Sequence, residues 1–284
     1  MKNISDNSGR KKIEMVVLSD VHLGTYGCHA KELCSYLSSI QPETLVLNGD
    51  IIDVWQFSKR YFPAYHLQVI MEIMQLITLG TKVHYITGNH DEMLRRFAGF
   101  EMGNICIANK LLIEKDDKKI WIFHGDVFDV TMKNARWLAK LGSFGYDLLI
   151  LINRFVNFLY SKTGKGKISL SKTIKNSVKS AVNFISSFEN TCADIAISNG
   201  YDFVICGHIH QPEIKKIKTE QGEVMYLNSG DWVENLTTLE YQNKKWSLYH
   251  HAEENKLTMP EPKIESAKVL MKKLIVEFDN LKTA

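Results

Sequence analysis

The sequence predicts an α/β fold interrupted by a basic helical insertion, and three observations predict it. Short β-branched and apolar runs alternate with amphipathic stretches over the first 129 residues. From about Thr131 to Asn199 the strand pattern gives way to a helical period, and from Tyr201 strand pattern returns. In the first part Glu14–Ser19, Thr44–Leu47, Lys82–Thr87 and Lys119–Phe123 read as buried strands, with helices expected over Ala30–Ser39 and His66–Leu79. Within the insertion, Phe144–Tyr160 carries only a narrow polar stripe and so needs burial over most of its circumference. Gly164 and Gly166 mark a turn, and Ser169–Ile197 reads as one long helix. Tyr201–Cys206, Glu213–Lys218, Glu223–Asn228, Trp232–Tyr241 and Lys245–Tyr249 then read as strands closing a second sheet. The tail from Pro260 places Ile264, Ala267, Leu270, Leu274, Phe278 and Leu281 at helical spacing. The expected organisation is a flexible N-terminus over 1–12, a main domain over 13–259 with an insertion over about 131–199, and a C-terminal amphipathic helix over 260–284.

Composition narrows the function classes. With 284 residues, 45% of them apolar and 24% charged, the chain can bury a core and is not a disordered segment. No stretch approaches the roughly 18 to 20 apolar residues of a membrane span, and Met1–Lys12 lacks the apolar region of a signal peptide, so a cytoplasmic protein is expected. Cys28, Cys34, Cys106, Cys192 and Cys206 form an odd, scattered set, which argues against both a disulfide framework and a thiolate zinc site. The net charge of +3 hides an asymmetry: Val130–Phe188 carries ten basic residues against the single acid Asp147.

Every strand of the first part runs into Asp, Asn or His, where ligands bind in open α/β sheets. Five motifs follow apolar strands: Asp20-Val21-His22, Gly49-Asp50, Gly88-Asn89-His90-Asp91, His124-Gly125-Asp126 and Gly207-His208-Ile209-His210. Each alone is common; together they offer a set of carboxylate and imidazole donors suited to Mn, Fe or Zn. Two ions about 3.5 to 4 Å apart need a carboxylate between them and together promote in-line displacement at phosphorus. Asp50 is the natural bridge, and the glycines before Asp50, Asn89 and His208 suit sharp turns and close backbone approach.

This pattern resembles that of the calcineurin-like metallophosphoesterases, over roughly Glu14 to Tyr249 and at every metal-binding motif. The resemblance implies a four-layer sandwich, two facing mixed β-sheets flanked by helices. It implies two divalent ions, most simply Mn with Fe or Zn as alternatives: one on Asp20, His22, Asp50 and His210, the other on Asp50, Asn89, His124 and His208. It also places His90 outside the metal ligands, poised by Asp91 to protonate a leaving oxygen or steady the phosphate, with Asn89, His90 and His208 near the substrate. Within the family, the basic and apolar insertion is similar to the lid of the UDP-2,3-diacylglucosamine pyrophosphatases of lipid A biosynthesis. Those enzymes release UMP and 2,3-diacylglucosamine 1-phosphate at the membrane surface. Lys172, Asn176 and Lys179 share one helix face and resemble that lid's substrate-contacting row. Peripheral binding to the anionic cytoplasmic face of the inner membrane would follow. One departure stands out: the best-known branch of those enzymes has Arg where this chain has His90.

Other readings stay open at the level of sequence. A soluble phosphodiesterase of the same superfamily, acting on another phosphodiester or nucleotide, is the alternative, and a non-catalytic interaction module a third. The basic segment is interleaved with aliphatic residues rather than stacking aromatics, which leans away from nucleic acid. His29, His66, His84, His250 and His251 read as structural or solvent-facing. Asp53 reads as a neighbour of the site rather than a ligand, Trp55 as core or pocket wall, Asp126 as a partner of His124 or a turn former, and Asp231 as a turn former. Oligomeric state has no signal in the sequence.

Overall fold

The computed structural model describes residues 9–55, 61–128 and 170–251. Within them the chain builds β1 (Lys11–Leu18), α1 (Ala30–Ser39), β2 (Ile40–Asn48), α2 (Ala64–Thr78), β3 (Lys82–Ile86), β4 (Glu101–Met102), β5 (Ile105–Ala108), β6 (Lys110–Lys115) and β7 (Lys118–Phe123). After the insertion come α3 (Leu170–Ser198), β8 (Phe203–Cys206), β9 (Glu213–Thr219), β10 (Gly222–Asn228), β11 (Thr237–Gln242) and β12 (Lys245–His250). The expected helix over Phe144–Tyr160 and the C-terminal helix over 260–284 lie outside the described residues, and so do residues 1–8. The structure divides into two compact units, Met1–Asp126 with Ala193–Ala284, and Val127–Cys192.

The larger unit holds two mixed sheets with helices on their flanks. One has seven strands in the order β12-β11-β1-β2-β3-β5-β4, the other five in the order β6-β7-β8-β10-β9. In the first, β1, β2, β3 and β5 run parallel, with Val17 opposite Val46 and Val46 opposite His84. In the second, β7, β8 and β10 run parallel, with Ile122 opposite Ile205 and Ile205 opposite Leu227.

The period of two in β1 sorts its side chains into two cores. Val16 and Leu18 join Leu45, Leu47 and Val83 against Leu33 and Leu37 of α1 and Val69, Ile73 and Leu76 of α2. Met15 and Val17 face the other way and pack with Ile120, Ile122, Ile205, Leu227, Leu239 and Trp246 between the sheets. Each such buried aliphatic side chain contributes about 1.5–3 kcal/mol of transfer free energy. Both faces of the central strands are therefore committed, which fixes register because a one-residue slip would exchange the two cores.

Five expectations change. Trp232–Tyr241 and Lys245–Tyr249 do not close the second sheet: β11 pairs antiparallel with β1, so both strands extend the first sheet, whereas Lys118–Phe123 belongs to the second. Residues 232–236 are not strand, because the Asp231 Oδ1 accepts the backbone N–H groups of Val233, Glu234 and Asn235 and bends the chain. Residues 10–12 are ordered rather than a flexible terminus. Strand β1 starts at Lys11, and the Arg10 guanidinium donates to the carbonyls of Leu37 and Ile40 and pairs with Glu72 at 3.1 Å. The strand expected over Tyr201–Cys206 starts only at Phe203, and β4, β5 and β6 appear where no strand was expected. Burial pushes the Cys28 and Cys34 thiols up to about 12, which suits inert packing residues. Among the described residues no helix is long and apolar enough to cross a membrane.

Candidate metal centre

The carboxyl ends of the parallel strands of both sheets carry the motifs. Asp20 and His22 follow β1, Asp50 follows β2, Asn89 and His90 follow β3, His124 follows β7, and His208 and His210 follow β8. The loops are stitched together by their backbones: the N–H of Asp20 donates to the Gly49 carbonyl, that of His22 to the Asp50 carbonyl at 2.9 Å, and that of Gly207 to the His124 carbonyl at 2.9 Å. Asn48 links the two sheets, its Nδ2 donating to the Phe123 carbonyl at 3.1 Å while its own carbonyl meets His124 Nδ1 at 2.9 Å.

The backbone is held in an unfavourable state at the very residues that carry the motifs. Asp20, His22, Asp50 and His210 each have φ of 53° and His208 has 65°, the left-handed region that costs a non-glycine residue on the order of 1–3 kcal/mol. Close approach explains two of the glycines. A Cβ at Gly49, where φ is +81°, would collide with the His124 ring, and one at Gly88 would fall on the Asp50 carboxylate and 2.7 Å from the Asp50 backbone nitrogen.

Two trios of donor atoms result, Asp20 with His22 and His210, and Asp50 with His124 and His208, each trio lying within 4.8 Å. His210 Nε2 stands 3.2 Å from Asp20 Oδ1, and His124 Nε2 stands 3.2 Å from Asp50 Oδ2. A third trio of His22, Asp53 and His90 adjoins the first. The outer atoms of these side chains are used by the protein. Asp20 Oδ2 accepts from the His208 N–H, Asp50 Oδ1 accepts from the His90 N–H, and His124 Nδ1 meets Asn48. Their other atoms are left over: Asp20 Oδ1, His22 Nε2, Asn89 Oδ1 and His124 Nε2 are buried without a hydrogen-bond partner. A buried polar atom without a hydrogen bond costs about 1–3 kcal/mol, and these four, from three loops, share the same strand-end site. Oxygen and imidazole donors without a thiolate, with Asp20, Asp50 and His124 oriented by protein hydrogen bonds, fit divalent cations of the Mn, Fe and Zn kind.

Electrostatics agrees with that donor set. Burial opposes ionisation of Asp20 and Asp50, yet the neighbouring histidines outweigh it, holding Asp20 at about 2 and Asp50 well below the usual carboxylate range. Burial likewise opposes charge on His210 and His124, and the same carboxylates win, lifting His210 to about 9 and His124 well above an ordinary imidazole.

His90 is oriented by a different carboxylate from the one expected. Its Nδ1 lies 2.9 Å from Oδ2 of Asp53, which is itself buried and 3.5 Å from His22 Nδ1. Although burial alone would lower the His90 pKa, Asp53 and Asp50 raise it. Asp91 does not reach His90. Its carboxylate accepts from the N–H groups of Ile51 and Gly88 and from the Tyr85 hydroxyl at 2.6 Å, so it clips the Asp50 and Asn89 loops together. Asp126 pairs with Arg95 and starts a short 3₁₀ turn, while the carbonyl of Asn48 takes the place beside His124. Trp55 is exposed and donates its indole N–H to the Asn89 carbonyl at 3.2 Å. Lys172, Asn176 and Lys179 fall in the first turns of α3, and their side chains lie outside the described residues.

Sequence reasoning undervalued three residues. Asn48 joins the sheets, and Asp231 bends the chain after β10 and stands 3.9 Å from His210 Nδ1. Asn228 donates to the Gly207 carbonyl at 2.8 Å and accepts from the Gly230 N–H. The signal was the similarity of Asn48-Gly49-Asp50 to Asn228-Ser229-Gly230-Asp231, both at the end of an apolar strand.

Comparison with known proteins agrees with this arrangement. The profile of the calcineurin-like phosphoesterases matches residues 13–212. The UDP-2,3-diacylglucosamine hydrolase of Aliivibrio fischeri (strain MJ11) is 25% identical over 218 residues, covering 74% of this chain and 86% of that protein. The enzyme of the same name from Vibrio cholerae (strain ATCC 39315) is 24% identical over 249 residues, covering 82% and 96%. A solved archaeal phosphodiesterase superposes with a TM-score of 0.42 at 16% identity, covering 83% of this chain and 98% of its own. With the profile spanning most of the chain, this protein belongs to the calcineurin-like phosphoesterase family and is a hydrolase of phosphate ester or anhydride bonds.

Proposed function

We propose that the protein is a binuclear-metal pyrophosphatase that cleaves UDP-2,3-diacylglucosamine to UMP and 2,3-diacylglucosamine 1-phosphate at the cytoplasmic face of a membrane. The observation that carries the substrate is the match, over most of both chains, to enzymes named for that lipid. In this reading Asp20, His22, Asp50 and His210 hold one ion, Asp50, Asn89, His124 and His208 hold the other, and Mn is the native metal. When bound, the pair supplies Lewis acidity toward the phosphoryl oxygens and lowers the pKa of water.

The chain's own residues do the rest. Asp50 fixes the spacing of the two donor sets, and its Oδ1 holds the His90 backbone in place. With its Nδ1–H donated to Asp53, a protonated His90 presents its second proton on Nε2, where it can be given to the departing sugar phosphate oxygen or held against a phosphoryl oxygen. Asp91 keeps the two loops from separating. Lys172, Asn176 and Lys179 are proposed as substrate-contacting residues by their resemblance to the lid row of the diacylglucosamine pyrophosphatases. Nucleic acid is not a partner in this reading.

The test is to incubate manganese-loaded protein with UDP-2,3-diacylglucosamine in mild detergent and follow UMP and the lipid phosphate by mass spectrometry. Release of both is expected. His90, where the best-known branch has Arg, favours a second reading, a phosphodiesterase for another phosphodiester or nucleotide. No release, from a preparation that still hydrolyses bis(p-nitrophenyl) phosphate, would establish that reading instead.

A further inference from the structure

Among the described residues exposed aromatic side chains are few, and the two most exposed stand on the loops of the metal centre. Tyr26, 83% exposed, lies four residues after His22, and Trp55, 71% exposed, lies two after Asp53. The two loops leave a single parallel bridge, Leu23 to Ile52, and each ring sits three residues beyond it. They are tied at that point by the Leu23 N–H to the Ile51 carbonyl and the Asp53 N–H to the Leu23 carbonyl, both at 2.9 Å.

Neither ring hangs free on its loop. Tyr26 packs against the ring of Tyr61, centroid to centroid 3.7 Å, leaving its other face open. The Trp55 indole N–H is fixed on the carbonyl of Asn89, and the N–H of Val54 donates to the His90 carbonyl. Trp55 is thus held directly to the loop that carries Asn89 and His90. Tyr26 and Trp55 both stand outside the two hydrophobic cores.

We infer that Tyr26, backed by Tyr61, and Trp55 form an aromatic shelf on which the base of the substrate's nucleotide half stacks. The inference rests on the proposed reaction for its choice of uracil. The openness of the rings decides between the two halves of such a substrate. An acyl chain gains from enclosure on all sides, which rings this exposed do not offer, whereas a base needs one flat π-face. The anchor to Asn89 places that face beside the donor atoms for the phosphates, and the polar edge of the base remains in water.

The test measures binding of UMP and of ribose 5-phosphate, which lacks the base, to the full manganese-loaded chain by equilibrium dialysis. From the usual worth of one base stacked on an aromatic ring, UMP is expected to bind about 10-fold tighter or more. That ratio should fall toward one in Tyr26→Ala and Trp55→Ala and persist in Tyr26→Phe, which keeps the π-face. Equal binding of the two ligands by the wild type, or a ratio that survives both alanine substitutions, overturns the shelf. The outcome is separate from that of the proposed reaction. If UDP-2,3-diacylglucosamine is hydrolysed but the ratio is one, the shelf alone fails. If the lipid is untouched while the ratio holds and falls in the variants, the shelf stands as the base site of a different nucleotide substrate.

Discussion

The hydrogen bond between Asp53 and His90 is where a single residue has the most specific consequence. Asp53 is buried, and its carboxylate raises the His90 pKa against the effect of burial. A raised pKa keeps His90 protonated to higher pH, and activity that needs this proton is lost as pH rises through it. Asp53→Asn keeps the shape and removes the charge. We expect kcat to fall by about 10- to 100-fold, and the alkaline limb of the pH–rate profile to move to lower pH. An unmoved limb would show that His90 does not act through its proton. Much of this site was legible in the sequence because each donor sits in a short motif after an apolar strand. The partner of His90 was not, since adjacency in sequence favoured Asp91, whereas Asp53 reaches it from a different loop. Side chains two or three residues past a strand end point according to loop geometry, which no period in the sequence reports.

At the scale of elements, the loops are packed so closely that a methyl group is felt. In Gly88→Ala the new Cβ would meet the Asp50 carboxylate, the Asp50 backbone nitrogen and the His124 ring, at 2.7 Å and 2.8 Å for the last two. Backbone cannot be relieved by a rotamer change, so the β3 loop must shift away from β2. The expected cost is about 1–3 kcal/mol of stability, together with reduced metal content by elemental analysis. Gly9→Ala, with nothing within 4 Å of the added carbon, should change neither. Full metal content in Gly88→Ala would mean that the loops have more slack than their contacts indicate. The elements themselves were legible to different degrees. Helix α1 was anticipated to the residue and α2 within two, because their apolar positions repeat at helical spacing above a sheet. Strand β6 alternates exposed and half-buried residues, and β4 and β5 are short and only partly buried, so they lack the apolar run that marks a central strand. Strands β11 and β12 were recognised yet assigned to the wrong sheet. Alternation identifies a strand without naming its neighbour, and the pairing of β11 with β1 spans more than two hundred residues.

Across the whole molecule, the metal centre is expected to couple stability to pH differently with and without cations. In the metal-free chain Asp20 is held at about 2, below its ordinary 3.8, so its contribution is present above that ordinary value and lost only as pH falls toward 2. His210 is raised from 6.5 to about 9, so its contribution is complete below 6.5 and disappears as pH rises through 9. A histidine that ligates a metal is neutral throughout, so the loaded protein lacks this alkaline loss, and cations no longer compete with protons there. The melting temperature of chelator-treated protein should therefore fall between pH 6.5 and 9 while that of manganese-loaded protein stays nearly level, and the gap between them should widen. At about 100 times its dissociation constant a ligand adds about 2.7 kcal/mol, or about 5 to 10 °C for a chain of this size. Thermal melts at both pH values, with and without manganese, check this directly. Two curves that run parallel, or converge toward pH 9, would mean that the buried histidines are not the groups that exchange protons for metal.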